Sequence, residues 1–208
     1  MMVTATEYRR TIETLVQAAI RDLAGLLAAI ASDDPAVVRR ALVEYLPDLV
    51  HPYMGTASEA AATWYEDERQ VTGVRGYARQ VEAPADDGRW DSLARWGVRP
   101  LAGQSDSTVL SLVGGGVQRL VADSGRATID ANARADIGRG DIAATGWARV
   151  TRAGSCEFCT MLAGRGPVYR SKSSAQDGPS GDYHDNCHCV PKPTFYRSEG
   201  GFLVPFAA

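Results

Sequence analysis

The sequence predicts an α+β protein: a mainly helical N-terminal region followed by a small mixed α/β module with a Cys/His cluster. Two observations carry this. Through most of the first 140 residues apolar side chains recur at three- and four-residue steps, the period of a helix with one buried face. Beyond Gly138 the pattern breaks into short extended segments and polar loops, and all four cysteines fall within one 34-residue window. The division is placed near residue 140, with 1–140 as a helical region suited to partner docking and 141–208 as the cysteine-bearing module.

The elements follow in order. Tyr8, Ile12, Leu15, Val16, Ala19, Ile20, Leu23, Leu26, Leu27 and Ile30 make one apolar stripe, hence a long first helix. Asp34 before Pro35 is a cap and first-turn pair for a second helix that buries Val37, Val38, Ala41, Leu42 and Tyr45 and is expected to stop at Pro47. The short connection between the two predicts an antiparallel hairpin. Thr56-x-x-Glu59 reads as a capping box opening a third helix with Trp64, Tyr65, Val71, Val74, Tyr77 and Val81. The run Ala83–Gly88 ends it.

A short helix is expected over Asp91–Trp96, then a long one from about Asp106 to Ile137. Gly114-Gly115-Gly116 interrupts that last pattern at roughly 1 kcal/mol per glycine relative to alanine. Either the helix breaks there or another backbone approaches closely. Trp147–Val150, Pro167–Tyr169 and Cys187–Val190 read as strands, Thr160–Ala163 as a helical turn and 171–182 as a polar loop. Pro191 and Pro193 confine the last strand to an edge.

Composition narrows the function classes. Net charge is −3, with 15 basic against 20 acidic residues over 1–146 and 7 against 5 over 147–208. No continuous basic face is evident, which disfavours nucleic-acid binding as the main activity; the basic C-terminal module keeps contact with DNA open. No stretch approaches the ~20 apolar residues of a membrane span, so no membrane association is expected. The N-terminus lacks the charged and apolar regions of a signal peptide, so reduced thiols or metal ligands are expected over a disulfide framework.

Cys156-Glu-Phe-Cys159 is followed, after 24 residues, by His184-Asp-Asn-Cys187-His188-Cys189. Two knuckles of thiolate and imidazole donors are what a tetrahedral zinc site requires. Strand alternation places Cys187 and Cys189 on one face and His188 on the other. Cys156, Cys159 and Cys189 lead as ligands, Cys187 and His184 compete for the fourth position, and His188 comes last. Four protein ligands leave no vacancy for an activated water, so the expected role is structural. Disulfides or plain reduced thiols are the competing readings. His51, beside Pro52, reads as a capping or surface residue, and no nucleophile–base pair is evident.

The stretch GWARVTRAGSCEFCTMLAGRGPVY over Gly146–Tyr169, followed by YHDNCHC over Tyr183–Cys189, resembles the C-terminal domain of the Mu F-like minor head proteins of tailed bacteriophages. That family's pattern is a paired-cysteine turn, a variable loop and a His-x-x-Cys-x-Cys segment, occupied here by Cys156, Cys159, His184, Cys187 and Cys189. The resemblance implies a non-enzymatic minor capsid protein of head morphogenesis, assembled in the host cytoplasm, resident in the virion and in contact with portal or capsid proteins. It implies no catalytic residue. A treble-clef zinc nuclease, suggested by His184 and His188 beside a cysteine pair, and a thiol redox module at Cys156-x-x-Cys159 are the alternatives.

Overall fold

The computed structural model describes residues 2–81, 88–168, 187 and 189–206. Among these residues five α-helices and three strands follow one another: α1 (Ala5–Ile30), α2 (Pro35–Arg69), α3 (Arg89–Gly97), α4 (Val109–Arg139), β1 (Ala144–Val150), α5 (Glu157–Gly164), β2 (Val190–Glu199) and β3 (Phe202–Pro205). The α+β class and its order, helices first and a small antiparallel sheet after them, are as the sequence predicts.

α1 starts at a capping box that the apolar stripe alone does not reveal. The Glu7 N–H donates to Thr4 Oγ1 at 3.2 Å, and the Thr4 N–H donates to the Glu7 carboxylate at 2.8 Å. Asp34 caps α2 as expected, accepting from the Ala36 N–H at 2.8 Å. The Val3 N–H donates to Asp67 at 2.6 Å and Tyr53 donates to Asp22, which fixes α1 and α2 as the predicted antiparallel pair.

α2 differs from its expected form. It does not stop at Pro47 but runs through Pro47 and Pro52 to Arg69. A proline inside a helix deletes one backbone hydrogen bond and crowds the carbonyl four residues back. Two features offset this. Pro52 lies on the exposed side, where water reaches the freed carbonyl, and Val38, Leu42, Leu46, Val50, Met54, Ala57, Ala61 and Tyr65 keep one unbroken buried stripe across both prolines. Thr56 therefore opens no helix; its hydroxyl donates to the Pro52 carbonyl at 3.0 Å. His51, likewise, is at no helix end: it is exposed within α2, edge-on to Trp90 at 5.4 Å.

Nor does a helix continue to Val81. After a 3₁₀ turn over Gln70–Thr72, the chain leaves Gly73 without regular secondary structure and is strapped to α4 by side chains. Asn132 accepts from the Arg79 N–H at 2.9 Å and donates to the Arg79 carbonyl at 2.8 Å, while the Val81 N–H donates to Thr128 at 3.2 Å. Polar side chains of α4 thus supply the partners that a neighbouring strand would give.

The glycine triplet does not break the helix, and what approaches it closely is a side chain at Gly116 rather than another backbone. α4 is continuous through Gly114–Gly116. A Cβ on Gly116 would lie 2.4 Å from Leu93 of α3, and one on Gly125 would lie 2.4 Å from the Tyr8 hydroxyl and 3.2 Å from the Ala57 carbonyl. The approach of α1, α2 and α3 to α4 depends on those missing methyls.

β1, β2 and β3 form an antiparallel sheet in that order, with Trp147 opposite Pro193 and Val150 opposite Val190. The expected strand at Cys187–Val190 begins only at Val190, and Pro167–Val168 is irregular, with Tyr169 outside the described residues. β2 is central in the strand order, yet β3 pairs only with Tyr196–Glu199. Pro191 and Pro193 therefore sit where β2 has one neighbour and the absent N–H groups break no ladder. Trp147, Val190 and Phe195 share one core with the helices, and Phe195 meets Tyr65 edge-on at 5.7 Å.

Candidate metal centre

Two chain segments build the centre. Cys156 is the N-cap of α5, with extended backbone, and its sulfur accepts the Cys159 N–H at 3.4 Å. One turn into α5, Cys159 and Leu162 are the buried residues of the helix. The second segment, Cys187 and Cys189, leads straight into β2, whose register is held by Arg149 opposite Pro191 and Val150 opposite Val190. Both of these thiols are buried.

The Cys159, Cys187 and Cys189 sulfurs all lie within 4.8 Å of one another, forming a buried group that can hold a metal ion. Cys156 is exposed at the rim, as the helix cap just described. His184 and His188 lie outside the described residues, and with them the histidine half of the expected ligand set and of the nuclease alternative.

The donor chemistry fits a thiophilic cation. Zinc–sulfur bonds of about 2.3 Å in a tetrahedron place neighbouring sulfurs about 3.8 Å apart. The Cys159 and Cys187 sulfurs are separated by 3.8 Å. A disulfide would need about 2.05 Å, and all four cysteines are free thiols.

Protons are shared unevenly in this group. The thiol of Cys187 is held far below its usual range by hydrogen bonds from Cys159 and then Cys189, with the charge of Arg126 adding to them. Cys159 is pushed far up, first because it donates to Cys187. For Cys189 the Cys159 sulfur acts downward, but the Cys187 sulfur and burial outweigh it, leaving the thiol at about 11. Without a cation, three crowded sulfurs favour one thiolate stabilised by two thiols.

A family model described as VG15 protein matches residues 2–201. The chain belongs to that family of viral proteins. No curated protein matches the VG15 chain, and no solved structure does. Among its described residues no helix is long and apolar enough to cross a membrane.

Two arginines at the VG15 centre escape a motif search based on donors. Arg149, buried on β1, donates from Nη1 to the Cys159 sulfur at 3.3 Å and lies over the Phe158 ring at 5.6 Å. Arg126, on α4 and 1% exposed, donates from Nη2 to the Cys189 carbonyl at 2.8 Å and the Cys187 carbonyl at 3.3 Å. Each left a trace in the sequence. Arg126 occupies a core phase of α4, in step with Ala122, Ile129 and Ala133, and Arg149 is two residues from Trp147, on the same strand face. A charge at a core phase signals a buried partner.

Proposed function

We propose that this VG15 protein is a minor capsid protein of a tailed bacteriophage, with a structural rather than enzymatic role in head morphogenesis at the portal vertex or capsid interior. The observation that carries the reading is the paired-cysteine, His-x-x-Cys-x-Cys pattern of 156–189, which resembles the Mu F-like head proteins, in a chain whose family is viral. The convergence of Cys159, Cys187 and Cys189 supports it, because the motif's two halves meet at one point. The long helical body offers rigid surface to portal or capsid partners, and the basic C-terminal module is the part offered to packaged DNA.

Within this reading the thiolates hold a structural zinc, with Cys156 or His184 as the fourth donor. Such a site adds to folding free energy directly, since no preformed site exists in the unfolded chain. The decisive experiment is co-expression with the phage's portal and major capsid proteins, followed by size-exclusion chromatography and protein analysis of purified virions. Co-migration with either partner and presence in virions are expected. Absence from virions together with no association in any combination would sink the reading.

A thiol redox module is the second reading, supported by an exposed Cys156 at a helix N-cap three residues before a buried Cys159. Two thiols at these positions titrating reversibly against a dithiol buffer, with no metal bound, would favour it.

A further inference from the structure

The segment carrying Cys187 and Cys189 precedes β2, so neither residue is held by the β1–β2 ladder, which begins at Val150 opposite Val190. What holds the segment instead comes from the helical body. Nη2 of Arg126 donates to the carbonyls of both Cys187 and Cys189. A single guanidinium that holds both carbonyls ties the two cysteines to α4 while their sulfurs gather with that of Cys159.

Arg126 is itself fixed: Nη1 donates to Asp123 one turn earlier on α4, at 2.7 Å. A second buried guanidinium, that of Arg149, meets the cluster through the Cys159 sulfur. Three or four thiolates around a divalent cation carry net negative charge, and burying that charge is costly unless cations stand close. Two guanidinium groups at hydrogen-bond distance from the ligand-bearing residues supply the compensation.

We propose that Arg126 is the positioning residue of the metal centre, and that through it metal binding in the C-terminal module is coupled to the stability of α4 in the helical body. This rests on the metal-binding reading above. Outer-sphere groups that orient metal ligands typically change metal affinity 10–100-fold when removed. Arg126→Met keeps the apolar stem and deletes every donor. It should weaken zinc binding at least ~10-fold, and Arg126→Lys, which keeps a charge and donors, should recover part of the loss.

The test uses the full chain. Zinc affinity is read by competition with a chromophoric chelator, and the ligand field by the absorption of the cobalt(II)-substituted protein. Amide hydrogen exchange of the wild type is followed with and without zinc. The proposal expects the affinity loss in Arg126→Met, a changed cobalt spectrum, and zinc-dependent slowing of exchange around 120–130 of α4. If Arg126→Met binds zinc as tightly as wild type, the positioning role is overturned while the metal reading stands. If the wild type binds no metal, both fall. If Arg126→Met does not fold, the wild-type exchange decides: α4 amides indifferent to zinc overturn the coupling.

Discussion

The helical body and the C-terminal module solve the same problem by different means. In the body, α1, α2 and α4 bury long apolar stripes, and the Tyr8 and Trp64 rings stack at 4.6 Å where the start of α1 meets the end of α2. One buried carboxylate there gathers a network: Asp136, 1% exposed, accepts from Tyr65 at 2.6 Å, from Arg69 at 2.8 Å and from Arg139. The module contributes a few apolar residues to that shared core and then relies on a thiol cluster braced by two arginines. Area burial stabilises the first region; donor convergence organises the second. Small elements that cannot enclose enough apolar surface depend on such fastenings.

Substitutions can separate the two. The largest effect is all-or-none: Cys159→Ser should abolish bound zinc, from about one ion per chain, and through the Arg126 coupling should move the urea transition followed by helical circular dichroism to lower denaturant without removing it. An unmoved transition would show that the body is independent of the centre. Next, Trp64→Ala removes a fully buried ring and should cost about 3–5 kcal/mol in the same urea titration. It should leave metal stoichiometry unchanged under native conditions.

Asp136→Asn leaves Arg69 buried with its charge uncompensated and should cost about 3 kcal/mol, again read by denaturant. Gly125→Ala is smaller: the new methyl presses on the Tyr8 hydroxyl and the Ala57 carbonyl, an overpacking of about 1–3 kcal/mol, partly offset by about 1 kcal/mol of helix propensity. A neutral result would mean that α1 shifts freely against α4.

Last comes Asp91→Asn on α3. Asp91 bonds Arg39 at 2.5 Å and Arg95 at 2.6 Å, and those partners hold its carboxyl below the usual range, Arg39 most strongly. A lowered folded-state pKa adds stability above the unfolded value that disappears as pH falls through the folded one. The exposed pair should therefore contribute a difference near the detection limit at neutral pH, and none in acid. Paired urea titrations of wild type and variant at neutral and low pH check this.

Much of the fold was legible because periodicity reports burial. The stripe from Tyr8 to Ile30 and the Asp34-Pro35 cap need only local chemistry, and both stand as read. The reading failed where a local stop signal met a longer-range gain. Pro47 says that a helix should end, but the stripe from Val38 to Tyr65 remains buried on both sides of it. The segment after Arg69 failed in the opposite sense: its apolar residues keep a helix-like spacing, yet Asn132 and Thr128 bind its backbone in an irregular form. Gly116 was undecidable locally, because the side chain that meets it, Leu93, lies on another helix.

At the centre, the cysteines were visible as a cluster, and their type and spacing pointed to a thiophilic cation. Which of them meet depended on the register of β2 and the start of α5. Arg126 was harder to see, since a lone charge in phase with Ile129 does not name its partner sixty residues away.

The sequence by itself determined the helical stripes, the change of character near residue 140 and the two-part donor motif, because each is a matter of local spacing and side-chain chemistry. The tertiary structure alone decided that α2 passes its prolines and that α4 needs its glycines. It alone brought Cys159 to Cys187 and Cys189 while Cys156 stayed at the rim, and seated Arg126 beneath them. Those outcomes depend on distances between distant segments, which the register of a sheet and the packing of three helices set, and no local pattern encodes them.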